Sequence, residues 1–120
     1  MALNERDANI LTHMLAYCDD IFDAVRRFGD SFEAFRSDKA YRNACAMCIL
    51  QIGELAGHLS PEFRSGHPQM PWNEIKAMRN VVAHAYGSIS VQMTWMMVPK
   101  KVMITAFQKE GMISLFLKIV

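Results

Sequence analysis

Arg79, Asn80, His84 and Tyr86 crowd into eight consecutive positions of this chain. Their types suit proton transfer beside an anion. An imidazole titrates near pH 6.5, so it can take or give a proton at neutral pH. A guanidinium stays charged and grips phosphate oxygens through a planar fork. A carboxamide can hydrogen-bond a phosphate or fix one imidazole nitrogen. A phenol two residues beyond the histidine adds a further hydrogen-bonding group.

The element that positions these residues is legible around them. Pro71 in front and Gly87 behind are start and stop signals for one helix, from about Pro71 to Ala85. Ile75, Met78 and Val82 recur at helical spacing and make its apolar stripe. At about 100° per residue, Asn80 and His84 share a face, Arg79 lies at the edge of the stripe, and His84 points away from it. A structural account is open as well. Arg79 could pair with a carboxylate and His84 could cap carbonyls in the last turn.

Three further stretches must hold that helix. Ile10, Leu11, Met14, Leu15, Cys18, Ile21, Phe22, Val25, Phe28 and Phe32 predict a long amphipathic helix, ending between Arg27 and Phe35 near Gly29-Asp30. Asp19, Asp20, Asp23, Arg26 and Arg27 make its solvated side. Ser37-Asp38 is the N-cap signal of a second helix, which Ser60-Pro61 stops after Leu59. From Ala44 to Ile52 that helix is apolar nearly all round, which places it at the centre of a bundle. Gly53 and Gly57 share one of its faces and point to the close approach of a neighbour, since glycine costs about 1 kcal/mol inside a helix. Glu54 follows the apolar run and needs a partner if buried, and Arg79 is the candidate. Pro61 to Met70 reads as a loop with a short helical turn at Glu62–Ser65. After Gly87, Val91, Trp95 and Val98 are spaced for a helix that Pro99 interrupts. The fold class expected is an all-α antiparallel bundle of four to five helices, forming one domain over residues 1–120.

The bulk figures exclude several function classes. Lysine and arginine number 13 against 12 acids, a net charge of +1, so any nucleic-acid contact must be local rather than a long basic track. The 52% hydrophobic content, ten methionines included, suggests extensive burial and an oligomer interface. No apolar run approaches the roughly 20 residues of a membrane span. The polar start lacks a signal-peptide pattern, so the location expected is cytoplasmic. Three cysteines, an odd count, argue against a disulfide framework. Cys45 and Cys48 form a CxxC without a second pair, and Cys18, His58 and His67 are poor candidates to complete a zinc site, so no metal site is expected. His13 has no visible companion and reads as a surface residue. Trp72 could stack a base or anchor the helix start.

Arg79-Asn80-Val81-Val82-Ala83-His84-Ala85-Tyr86 resembles the Arg-x4-His-x-Tyr motif of the HEPN superfamily, and most closely its HepT-like toxins. Ile52-Gly53-Glu54-Leu55, Leu59-Ser60 and Met70-Pro71-Trp72 ahead of Met78-Arg79-Asn80 resemble the same branch in order and distance. The likeness runs from about Ala8 to Trp95. Residues 96–120 depart from it, with Met-Met-Val-Pro-Lys-Lys after the tryptophan and few acids. A bare Arg-x4-His is a weak signal, and the accompanying pairs make it specific.

The resemblance implies an RNA endonuclease toxin that needs neither metal nor other cofactor. It implies a homodimer whose two Arg79–His84 pairs, supported by Asn80 and Glu54, line one composite cleft. It implies a partner, the minimal nucleotidyltransferase antitoxin encoded beside such toxins, which transfers AMP to the motif tyrosine, here Tyr86. The rival from another class is a non-catalytic HEPN module that binds nucleotide or docks a nucleotidyltransferase. A helical protein with a structural Arg79 and His84 is the third reading.

Overall fold

A computed structural model describes residues 4–68 and 70–85, together with Gln92 and Trp95. Tyr86 and residues 96–120 lie outside the described residues. Five helices and no strand occur among those described: α1 (Glu5–Phe28), α2 (Phe32–Ser37), α3 (Lys39–His58), α4 (Pro61–Ser65) and α5 (Trp72–Ala85). The protein is all-α.

Each boundary has a local cause. Asn4 caps α1 by accepting the Asp7 N–H at 2.7 Å. Gly29 ends it after Phe28 with φ 112°, a left-handed conformation open to glycine and strained for other residues. The Ser31 side chain caps α2. Asp38 caps α3 by accepting from Ala40 N at 2.9 Å and Tyr41 N at 3.3 Å. Ser60 caps α4, and Pro61 occupies its first turn, where the missing N–H costs nothing. Chain entry into α5 is set by Pro71, whose carbonyl accepts from Ile75 N at 3.0 Å.

α3 is the central helix. It packs against α1, α2 and α5. Its buried residues include Tyr41, Cys45, Cys48, Ile49, Ile52 and Ala56, while Ala44 and Met47 stand exposed. The apolar run therefore presents one strip outward. α1 contributes Leu11, Met14, Cys18 and Ile21, and α5 contributes Ile75, Met78 and Val82. Each large side chain buried in this way contributes about 1.5–3 kcal/mol.

α1 and α3 run antiparallel. At one end Phe28 stacks on Tyr41 with ring centroids 5.2 Å apart. At the other, Asp7 in the first turn of α1 accepts from Ser60 N at 2.9 Å and Ser60 Oγ at 2.6 Å. Asp7 is the one charged side chain buried among the described residues, and these bonds, with a third from Asn4 Nδ2 at 3.0 Å, meet its needs.

α5 also runs antiparallel to α3. Trp72, at its start, shares a cleft with Gly57 and His58, while Arg79 meets Gly53 and Glu54 one turn earlier on α3. Gly53 is what allows the approach. A Cβ there would collide with the Arg79 Cβ and lie 2.8 Å from its Cγ. The expectation for Gly57 is corrected: among the described residues nothing lies within 4 Å of the position its Cβ would take, and the close approach of α5 falls at Gly53.

Candidate active site on the α3–α5 face

Arg79 leaves the edge of the α5 stripe, crosses Gly53 and reaches Glu54. Its Nε donates to Glu54 Oε1, and Nη2 lies against the same oxygen. Its Nη1 donates to Asn80 Oδ1 at 3.1 Å. The guanidinium is thus held on two sides, by a carboxylate from α3 and by its own chain neighbour. Neither member of the ion pair is sealed in: the side chains are 31% and 40% exposed. Glu54 is therefore not a core carboxylate. It holds Arg79 at the rim of an open cleft of about 420 Å³ between α3 and α5.

His84 sits five residues further on, in the last turn of α5, with its ring exposed. Along the axis this is about 7.5 Å beyond Arg79. It does not line the α3–α5 cleft, which Arg79, Asn80 and Glu54 do. One subunit therefore presents the guanidinium and the imidazole as two separate points around α5. It does not gather them into one pocket. Tyr86, the fourth residue of the motif, lies outside the described residues.

The remaining candidates resolve cleanly. Cys18, Cys45 and Cys48 are free and buried. Burial pushes Cys18 and Cys45 up to about 12 and Cys48 up to about 11, with Asp19 adding to it at Cys18 and Asp20 at Cys48. Thiols held neutral in this way are poor ligands and poor nucleophiles. Among the described residues no group of three or more histidine, cysteine, aspartate or glutamate side chains could hold a metal ion. His67 is structural: its Nδ1 lies 2.9 Å from the Phe63 carbonyl, and its ring stacks on Phe63 at 4.3 Å. His13 is exposed. Trp72 is both an anchor and a cleft wall, with Nε1 donating to the His67 carbonyl at 3.0 Å.

Both Arg64 and Lys76, cationic residues of the cleft, escaped the sequence reading. Lys76 had a signal, since it stands four residues after Trp72 and three before Arg79 on one helical face. Arg64 had none, because its place depends on how α4 folds back.

Residues 14–109 match the family model described as ribonuclease HepT-like, a match that continues past Trp95. The RNase-named protein TTE0752 of Caldanaerobacter subterraneus subsp. tengcongensis is 33% identical over 92 residues, covering 77% of this chain and 80% of its own. A protein of Thermococcus cleftensis, named as probable ribonuclease HepT, is 31% identical over 84 residues, covering 66% and 76%. The RNase-named protein MJ1380 of Methanocaldococcus jannaschii is 26% identical over 101 residues, covering 83% and 91%. No solved structure matches the chain. Among the described residues no helix is long and apolar enough to cross a membrane.

Proposed function

The chain belongs to the HepT-like ribonuclease family, and on that premise we propose that it is a cytoplasmic endoribonuclease toxin whose Arg79 and His84 do the chemistry at the cleft of a homodimer. The observation that carries the reading is the placement of Arg79. Its guanidinium is held by Glu54 and Asn80 at the rim of an open cleft, with an exposed His84 on the same helix.

RNA cleavage without metal requires a base to take the 2′-hydroxyl proton, an acid to protonate the leaving 5′-oxygen and a cation for the charged phosphorane. The 2′-oxygen attacks the adjacent phosphorus, the bond to the 5′-oxygen breaks, and a 2′,3′-cyclic phosphate remains. One imidazole can act as base and another as acid. A single chain offers one exposed His84. A second copy supplies the other, and the two Arg79 side chains then face the phosphate between them. Asn80 and Glu54 are positioning residues that keep each guanidinium aimed.

Neutralisation acts on Tyr86. A minimal nucleotidyltransferase partner directs the Tyr86 phenol oxygen onto the α-phosphorus of ATP. A phosphodiester forms, pyrophosphate leaves, and the phenolic proton passes to solvent. The attached AMP brings bulk and negative charge beside His84 and excludes RNA phosphates.

A second reading has its own observation. Arg79 is already paired with Glu54, as it would be in a module that only binds nucleotide or docks the transferase. Expression in cells separates the two. Wild type is expected to arrest growth and degrade RNA while His84→Ala does neither. Equal growth and equal RNA integrity would remove the toxin reading. Incubation with the transferase and ATP is expected to add the mass of AMP to wild type and none to Tyr86→Phe.

A further inference from the structure

The catalytic reading leaves idle two cations of the cleft. Lys76 stands three residues before Arg79 on α5, and Arg64 reaches the same hollow from α4. Arg79 is offset by Glu54, but among the described residues neither Arg64 nor Lys76 is ion-paired. Two uncompensated positive charges in a concave site focus an attractive potential on anions. The hollow, about 420 Å³, falls in the size range of sites that hold a drug-sized ligand and has room for a nucleotide.

Trp72 supplies the other half. It lies one helical turn before Lys76, on the cleft face of α5. Its indole is fixed before any ligand arrives, by the bond to the His67 carbonyl at 3.0 Å and by an edge contact with Phe63 at 6.3 Å between centroids. A pre-set ring loses little freedom on binding. Beyond it a second hollow of about 300 Å³ opens against Pro61 and Ser65 of α4. Arg64 and Trp72 line both hollows and form the ridge between them. The concave surface thus continues along α4, with Arg64 as the cation common to both hollows.

We infer that Arg64, Lys76 and Trp72 form a subsite for single-stranded RNA flanking the cleavage point, the two cations taking phosphates and the indole stacking an unpaired base. The assignment rests on the ribonuclease reading for its ligand class. Stacking on an aromatic face needs a base free of its own helix, so the strand is single.

The test uses full-length protein carrying His84→Ala and RNA methylated at every 2′-oxygen, so that cleavage plays no part. Binding is followed by fluorescence anisotropy across a salt series, on a single strand and on the same sequence as duplex. Arg64→Ala with Lys76→Ala is expected to lower the log–log salt slope by about 1.4, near 0.7 for each phosphate that is no longer neutralised. Trp72→Leu is expected to weaken single-strand binding about tenfold. Because that change could disturb the start of α5, Lys76→Glu, at an exposed position, provides an independent arm, with each variant's melting curve as control. An unchanged slope in the charge variants overturns the subsite. So does duplex binding as tight as single-strand binding. Variants that bind RNA like wild type but no longer bind the transferase would give the surface to that protein and equally overturn the inference. If wild type fails to cut RNA yet binds it through these three side chains, the catalytic account falls and the subsite stands. If it cuts RNA and the charge variants bind normally, the reverse holds.

Discussion

On the α1 side of α3 the polar groups close upon one another, and on the α5 side they are left facing outward. Asp7 is buried, and its bonds to Ser60 and Asn4 tie the first turn of α1 to the start of α4. Glu54 is 40% exposed and directs its charge at an arginine that is itself 31% exposed. The same functional group thus does two jobs. A desolvated carboxylate with all its bonds met stabilises a junction. A half-solvated ion pair adds little stability, at most about 1 kcal/mol, but fixes where a guanidinium stands. The difference teaches that the face of α3 toward α5 is organised around position rather than strength.

The contrast can be broken from either side. Asp7→Ala should have the largest effect on stability, about 3 kcal/mol, because hydrogen bonds to a charged acceptor disappear and Ser60 is stranded. Urea unfolding measures it, and a loss below about 1 kcal/mol would mean that the junction is not a strong point. Gly53→Ala should cost about 2 kcal/mol through overpacking against Arg79. Gly57→Ala, one turn away with open space at its Cβ, should instead stabilise by about 0.5–1 kcal/mol. Equal effects at the two glycines would show that α5 does not approach at Gly53.

The alkaline limb tests the buried thiols. In the folded chain Cys18 and Cys45 are pushed up to about 12 from an ordinary value of 9.0. Between those values the unfolded chain has released protons that the folded chain keeps, so stability is full below pH 9 and falls as pH rises toward 12. Replacing both cysteines with alanine should flatten that fall, as read from melting temperature against pH. Glu54→Gln is the smallest change in stability, under about 1 kcal/mol. It should nevertheless lower RNA cleavage, because Arg79 loses its anchor. Unchanged cleavage would make Glu54 a bystander.

Much of this was legible in the residues themselves. Asp38 and Pro71 announce helix starts by local chemistry, whereas Pro61 read only as the stop of the second helix although it also opens α4, and the end of α1 at Phe28 was bracketed between Arg27 and Phe35 near Gly29. The pairing of Glu54 with Arg79 was also within reach, because a charge following an apolar run needs a partner. Other features depend on distant parts of the chain meeting. Asp7 binds Ser60 from 53 positions away, a pairing no local pattern encodes. Gly57 looked equivalent to Gly53 by spacing, yet only Gly53 sits where α5 crosses. Arg64 enters the cleft through the fold-back of α4. Family likeness, rather than periodicity, was what pointed from Arg79 and His84 to RNA.

The account stands on the work of His84, and one comparison reaches it directly. Purified wild type and His84→Ala, shown to melt alike, are incubated with single-stranded RNA in the presence of a metal chelator, and the ends are identified. The account predicts cleavage by wild type with 2′,3′-cyclic phosphate ends, and a loss of at least about 100-fold in the variant. Cleavage at equal rates by both proteins would contradict it.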